Sequence, residues 1–215
     1  MRTRFMRFWV AALPLVLVSG LMAGCGGDDD EKLENTNPGN NDINVVVAFG
    51  DSLTRGSDCA CTPYPTRLAG LIGKTVYNSG VEGSGAINNV GRTQRVIDQR
   101  KPGFMLILYG INDVIQGRDI VRIRAALAEM VAICKQNNVV PVLATYPQMI
   151  DSHALFAGGG LALNGEIRSL AGAEGIKCVD LEREFGANPA LYEADGLHPN
   201  DAGTQVMALA FADLF

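Results

Sequence analysis

The stretch "VVVAFGDSLTRG", residues 45–56, decides the fold of this chain. It begins with an unbroken apolar run that ends at Phe49, and such a run is typical of a strand buried on both faces of a parallel sheet. The run stops at Gly50, Asp51 and Ser52. These residues could simply form a turn in which Ser52 caps a helix. Alternatively, they hold a nucleophilic serine at the carboxyl end of a sheet, where α/β sheets bind their ligands.

The first 25 residues have the order of an export signal. Arg2, Arg4 and Arg7 form a basic start, an apolar run follows, and the small residues "SGLMAGC" end the segment at Cys25. The apolar run is too short for a comfortable membrane-spanning helix. We therefore exclude residues 1–25 from the fold.

The end of this signal resembles a bacterial lipobox, here Met22-Ala23-Gly24-Cys25, although Met replaces the usual Leu. The resemblance implies that Cys25 receives lipid, becomes the mature N-terminus and anchors the exported protein to the membrane. Gly26 follows in place of the Asp that retains lipoproteins at the inner membrane, which favours the outer membrane, facing the periplasm. An ordinary cleaved signal with a chance cysteine is the alternative.

The residues after the signal divide into a linker and a domain. Residues 26–43 are acidic and rich in Asn and Gly, which predicts a flexible linker. Residues 44–215 are long enough for one domain with a sizeable core. Removing residues 1–24 removes three of the 18 basic residues and none of the 23 acidic ones, so the formal charge becomes −8. This charge argues against a nucleic-acid partner.

Four cysteines remain after Cys25, and export makes disulfides possible. Cys59 and Cys61 are separated by a single residue, so they could form a tight bridge, stay free or pair elsewhere. Zinc is disfavoured because no second Cys or His pair lies nearby.

Apolar runs alternate with helical patterns along the domain. The runs predict five strands, at Val45–Phe49, Thr75–Tyr77, Phe104–Leu108, Val139–Thr145 and Ile176–Leu181. The helical spacings predict five helices, at Tyr64–Leu71, Thr93–Arg100, 119–137, Leu161–Ala173 and Asn200–Phe215. This alternation predicts a flavodoxin-like, doubly wound α/β fold of about five parallel strands with helices on both faces.

Polar motifs follow several of these strands, at the edge where such a sheet binds ligands. They are Gly50-Asp51-Ser52-Leu53, "NSGVEGSG" at 78–85, Gly110-Ile111-Asn112-Asp113 and Asp195-Gly196-Leu197-His198. In this order the four blocks resemble the SGNH hydrolases, also called the GDSL esterase/lipase family, over roughly residues 45–215. Within the second block, Gly83 is the glycine assigned to the family's pattern, because its spacing from Asn78 fits that pattern. Gly80 and Gly85 are the alternatives.

The resemblance implies a serine esterase that works without metal or nucleotide cofactors. Ser52 is the expected nucleophile, His198 its base and Asp195 the group that orients the imidazole, because a serine hydroxyl needs an adjacent base. The expected oxyanion donors are the N–H groups of Ser52 and Gly83 and the side-chain amide of Asn112. The chain has no Gly-x-Ser-x-Gly elbow, so the serine does not come from an α/β-hydrolase motif.

Other roles for the same residues remain open. Asn112 could form an Asx turn and Asp113 a helix cap, while Asp51 is expected to support its turn. Asp195, His198 and Asp201 could hold a metal, which the resemblance disfavours. The second histidine, His153, lies in a polar loop without an acidic partner at matching spacing and is expected to be exposed or to line the rim.

The predicted substrates are small-molecule or lipid esters or thioesters, with short acyl esters and lysophospholipids as the leading classes. A carbohydrate or peptidoglycan O-acetylesterase is the alternative, and a non-catalytic binding lipoprotein is a further one. The segment "YPQMIDSHALFAGGGLALN", residues 146–164, is expected to wall the acyl site, with Gly158, Gly159 and Gly160 as a mobile hinge. Its apolar wall residues are Met149, Ile150, Leu155 and Phe156. A surface loop without contact to the substrate is the alternative. Such a wall predicts a preference for acyl chains of roughly two to eight carbons.

Overall fold

The computed structural model describes residues 32–215, and a sheet of five parallel strands lies at its centre. The strands are β1 (Asp42–Gly50), β2 (Thr75–Gly80), β3 (Pro102–Leu108), β4 (Val140–Ala144) and β5 (Cys178–Val179). Their spatial order is β2-β1-β3-β4-β5, and each neighbouring pair is parallel. This is the predicted flavodoxin-like order, with its switch point between β1 and β3.

Within residues 32–215, eight α-helices connect or flank the strands. They are α1 (Ser52–Arg55), α2 (Tyr64–Ile72), α3 (Val90–Arg100), α4 (Ile111–Ile115), α5 (Ile120–Gln136), α6 (Ala157–Glu174), α7 (Leu181–Phe185) and α8 (Asp201–Ala212). Two short 3₁₀ helices, Asp151–Phe156 and Pro189–Leu191, complete the described elements. None of the described helices has the length and apolar character needed to cross a membrane.

The helices cover both faces of the sheet. The chain steps from β1 to β2 in one direction and then from β2 through β3 and β4 to β5 in the other. Because crossovers between parallel strands are right-handed, these opposite steps place their helices on opposite faces. Accordingly, α2 packs against α8, whereas α5 packs against α3 and α6.

The central strands are buried along most of their length. Every residue of β3 is buried, as are the last five residues of β1. This is why their sequences read as continuous apolar runs and not as alternating ones.

Residues 32–41, which belong to the predicted linker, are hydrogen-bonded to the domain. The Leu33 N–H donates to Leu214 O at 2.7 Å, beyond the end of α8. The Asn35 side chain donates to Gly103 O and Asn138 O, both at 2.9 Å, near the starts of β3 and β4. The segment therefore joins the domain at the amino ends of the strands. The predicted signal peptide and Cys25 lie outside the described residues.

The segment that follows β4 differs from its prediction. Gly158, Gly159 and Gly160 form the first turn of α6 and not a hinge. A Cβ at Gly159 would lie 2.6 Å from Val114 Cγ1, and one at Gly160 would lie 2.9 Å from Met149 Cε. Close packing therefore explains Gly159 and Gly160, whereas a Cβ at Gly158 would meet open space. Met149, expected at the acyl wall, is instead buried in the core.

Candidate active site

The turn after β1 places Ser52 at the start of α1. Gly50 is required there because a Cβ would lie 2.6 Å from the backbone oxygen of Leu108 and closer still to the Thr54 hydroxyl. Asp51 caps α1, since its carboxylate accepts a hydrogen bond from the Leu53 N–H at 3.0 Å. Ser52 is only 4% exposed.

The Asp51 carboxylate is completely buried and has two direct donors. The Tyr146 hydroxyl donates to it at 2.6 Å, in addition to the Leu53 N–H. Burial raises the pKa of Asp51 to about 6, although both hydrogen bonds and the neighbouring His198 act in the opposite direction. Asp51 thus supports the turn, and it links the end of β1 to the residues that follow β4.

Asp195 and His198 lie in one turn just before α8. One carboxylate oxygen of Asp195 accepts from the N–H groups of Leu197 and His198, both at 3.0 Å. The other lies 2.6 Å from His198 Nδ1. Burial works to raise the pKa of Asp195, but the hydrogen bonds from Leu197 and His198 outweigh it and hold the pKa below its usual value. The carboxylate is therefore kept charged beside the imidazole.

The structure brings Ser52, His198 and Asp195 into one hydrogen-bonded chain. His198 Nε2 lies 2.9 Å from Ser52 Oγ across 146 residues of sequence. With the Nδ1 proton directed at the Asp195 carboxylate, Nε2 is left as the acceptor for the serine proton. This arrangement can activate a hydroxyl for attack on a carbonyl carbon.

Asn112 and the loop of Gly83 meet near the carboxyl end of β1. The Val81 N–H donates to Gly50 O at 2.9 Å, which holds this loop against the end of β1. The Asn112 side-chain amide donates to Ser84 O at 3.1 Å. Gly83 has a left-handed backbone, with φ of +67°, which glycine adopts without strain. The loop of Gly83 is thus attached to the end of β1, one residue before Asp51 and two before Ser52, and Asn112 is attached to that loop.

Asp113 holds the same loop by a hydrogen bond. Its carboxylate accepts from the Ala86 N–H at 2.5 Å, and a Cβ at Gly85 would collide with it. Burial raises the pKa of Asp113 against the opposing hydrogen bonds from the loop. The Gly85 position is therefore explained by the contact with Asp113.

The 3₁₀ helix after β4 braces the Asp195 turn, a role that the sequence did not reveal. The Ser152 hydroxyl donates to Asp195 O at 2.7 Å, and His153 Nδ1 lies 2.8 Å from the same oxygen. The Ile150 N–H donates to Gly196 O at 2.9 Å. The partner of His153 is thus a backbone oxygen and not an acidic side chain. This is why the sequence shows no acidic residue at a matching spacing.

A model of the GDSL-like lipase/acylhydrolase family matches residues 48–206 of this chain. The protein named uncharacterized lipoprotein YqeF, from Bacillus subtilis (strain 168), is 30% identical over 128 residues. The match covers 52% of this chain and 53% of that protein, about half of each.

Two solved structures have the same fold. A member of the lipolytic protein G-D-S-L family from Veillonella parvula DSM 2008 has a TM-score of 0.69 and 21% identity, over 80% of this chain and 97% of its own. The acetylxylan esterase Axe2 from Geobacillus stearothermophilus has a TM-score of 0.66 and 23% identity, over 78% of this chain and 91% of its own. At these identities the likeness supports the fold alone.

The buried Asp51 predicts a specific pH dependence of stability. Between about pH 4 and pH 6 the folded state keeps the Asp51 proton while the unfolded state loses it, so stability falls as the pH rises through this window. The Asp51→Asn variant lacks this loss and can still accept from the Leu53 N–H. As the pH rises from about 4 to about 6, the unaltered protein should therefore lose stability relative to Asp51→Asn. We expect this relative loss in the free energy of unfolding to be roughly 3 kcal/mol.

Urea denaturation at several pH values measures this difference. Asp98→Asn removes an exposed carboxylate on α3 and serves as the control. A difference between the unaltered protein and Asp51→Asn that is the same at pH 4 and pH 7 would contradict the assignment.

Proposed function

Because this chain belongs to the GDSL-like lipase/acylhydrolase family, we propose that it is a serine ester hydrolase with Ser52, His198 and Asp195 as its catalytic triad. The observation that carries the proposal is the hydrogen-bonded chain from Asp195 through His198 to Ser52 Oγ, with distances of 2.6 and 2.9 Å.

In the proposed reaction, Ser52 Oγ attacks the carbonyl carbon of the ester while His198 Nε2 takes the hydroxyl proton. The tetrahedral intermediate then collapses, the bond to the alcohol breaks, and the departing oxygen takes the proton from Nε2. Water attacks the resulting acyl-enzyme by the same route and releases the acid. Asp195 holds the imidazole in one tautomer and stabilises its cation.

The negative oxygen of the intermediate needs preorganised donors. We assign this role to the N–H groups of Ser52 and Gly83 and to the side-chain amide of Asn112. Support comes from the contact between Asn112 and Ser84, which keeps the amide beside the Gly83 loop. For Asn112 to serve, its amide must turn from Ser84 O towards the substrate or use its second N–H.

The substrate we propose is a short or medium acyl ester, or a lysophospholipid. The 3₁₀ helix that braces Asp195 carries Leu155, which is 87% exposed, and partly buried Phe156. A short apolar wall of this kind suits acyl chains of about two to eight carbons, with each buried methylene adding about 0.8 kcal/mol until the wall ends.

A carbohydrate or peptidoglycan O-acetylesterase is the second candidate. The acetylxylan esterase Axe2 has this fold, and an acetyl group lies at the small end of the proposed acyl range. Since the loops around a shared fold set the substrate, only measured activity separates the two candidates.

We also propose that the mature protein is lipid-anchored through Cys25 at the cell envelope, on the outer membrane facing the periplasm where the cell has one. The proposal includes the division into a signal at 1–25, a linker and a domain. The sequence places their boundary between residues 43 and 44, whereas β1 already begins at Asp42. Its support is the lipobox-like sequence and the name lipoprotein carried by the Bacillus subtilis relative.

The Ser52→Ala variant should keep the fold and lose hydrolysis by about 10⁴-fold or more, because no acyl-enzyme can form. Turnover of p-nitrophenyl acetate and labelling by a fluorophosphonate measure this. Ser169→Ala, which changes an exposed serine on α6, should match the unaltered protein. Failure of the unaltered protein to label or turn over would instead indicate a binding protein.

The Asn112→Ala variant should lower kcat by about 10² to 10³, the usual size for one lost oxyanion donor. Its KM should change less, since the donor acts mainly in the transition state. Steady-state kinetics on the preferred ester separates the two constants, and a change confined to KM would make Asn112 a substrate-binding residue.

A series of p-nitrophenyl esters tests the acyl range. We expect kcat/KM to rise by roughly fourfold per methylene and then to level off by about eight carbons. Phe156→Ala should flatten this rise, whereas Leu209→Ala, which trims an exposed side chain on α8, should not. A rate that keeps rising through long chains would contradict the short wall, and high activity only on acetylated sugars would favour the second candidate.

Lipidation of Cys25 is tested by mass spectrometry of the mature N-terminus. We expect a lipid-modified cysteine at position 25 and its loss, together with membrane association, in Cys25→Ser. An unmodified N-terminus beyond Cys25 would overturn the anchor.

A further inference from the structure

Residues 57–62 cross from the nucleophile to the helix that follows the histidine. At one end, the Ser57 N–H donates to Ser52 O at 3.1 Å. At the other end, the Thr62 N–H donates to the Asp201 carboxylate at 3.3 Å, in the first turn of α8. Both ends of this segment are therefore attached to elements that carry the triad.

Asp58 lies within this segment and faces the histidine. Its Oδ2 atom is 3.7 Å from His198 Nε2, the same nitrogen that contacts Ser52 Oγ. The Asp58 side chain is 61% exposed, so it approaches the imidazole from the solvent side. Among residues 32–215, no lysine or arginine forms an ion pair with Asp58.

The backbone next to Asp58 is constrained. Asp58 has a left-handed backbone, with φ of +60°, which aspartate and asparagine tolerate better than most residues. A disulfide joins Cys59 to Cys61, which are 5.2 Å apart at their Cα atoms. The carboxylate is thus held at the site by attachments on either side and not by a long flexible loop.

The position of Asp58 matters for the alcohol part of the substrate. His198 Nε2 must deliver its proton to the departing alcohol oxygen, which therefore comes within hydrogen-bond distance of Nε2. Substituents on that alcohol then lie within a few ångströms of Asp58. Glu82, whose carboxylate is 3.3 Å from the Ser57 hydroxyl, adds a second negative charge on this side.

We propose that Asp58 is a specificity-determining residue, which makes the enzyme favour esters with a cationic alcohol part and discriminate against those with an anionic one. The inference rests on the proposed triad, since it depends on where the alcohol leaves. It concerns the charge of the alcohol, whereas the acyl range concerns the other half of the ester.

Three acetate esters test this inference: acetylcholine, its neutral isostere 3,3-dimethylbutyl acetate, and 3-acetoxypropanoate, which carries an anionic carboxylate. The measured quantities are the ratios of kcat/KM between the cationic and neutral esters and between the neutral and anionic esters. Asp58→Asn suits the left-handed backbone and removes only the charge. Both ratios should fall by about two- to fivefold in this variant, the range expected for an exposed charge pair.

Asp98→Asn removes a carboxylate on α3 and should leave both ratios unchanged. In the unaltered enzyme, added salt should lower the same ratios, because exposed charges are screened. Ratios that do not move in Asp58→Asn or with salt, in an enzyme that hydrolyses the neutral ester, would overturn this inference alone. Absence of hydrolysis of all three esters would overturn the proposed function together with it.

Discussion

The contact between His198 Nε2 and Ser52 Oγ requires two residues 146 positions apart to meet within 2.9 Å. The parallel sheet makes this possible, because all its strands end at one edge and Ser52 follows β1 at the switch point. His198 reaches the same edge because Asn200 caps α8 and hydrogen-bonds Tyr192 O, which fixes the turn before that helix. The rest of the site is arranged around this contact.

Three aspartates share one physical role at this edge. Asp51, Asp113 and Asp195 each accept a hydrogen bond from the backbone N–H group of a nearby turn. Removing a carboxylate from water costs free energy unless hydrogen-bond donors surround it. The hydrogen bonds from the turns offset this cost and hold each turn against its carboxylate. The pKa values of Asp51 and Asp113 are raised by burial, whereas that of Asp195 is held low beside the imidazole. The same type of side chain thus has different pKa values because its surroundings differ.

The sequence was sufficient for the sheet and for the residues gathered at its edge, because buried parallel strands are continuous apolar runs and the polar motifs follow them. It was insufficient where tertiary contacts outweigh local preference. Three consecutive glycines disfavour a helix by about 1 kcal/mol each, yet α6 includes all three, and Val114 and Met149 pack where side chains at Gly159 and Gly160 would lie. β1 begins at Asp42 because its N–H donates to Lys101 O, just before β3, a partner distant in sequence. His153 contacts a backbone oxygen, which every residue possesses and no motif reveals.

Leu33 is attached beyond the end of α8 and Asn35 near the starts of β3 and β4, and these attachments give the domain a direction. These contacts lie at one end of the sheet, and Ser52 lies at the other. The chain that precedes residue 32 is therefore connected to the domain at the end of the sheet opposite Ser52. In the proposed lipid-anchored protein, the attachment would therefore reach the domain at the end opposite Ser52, which would leave the active site facing away from the membrane.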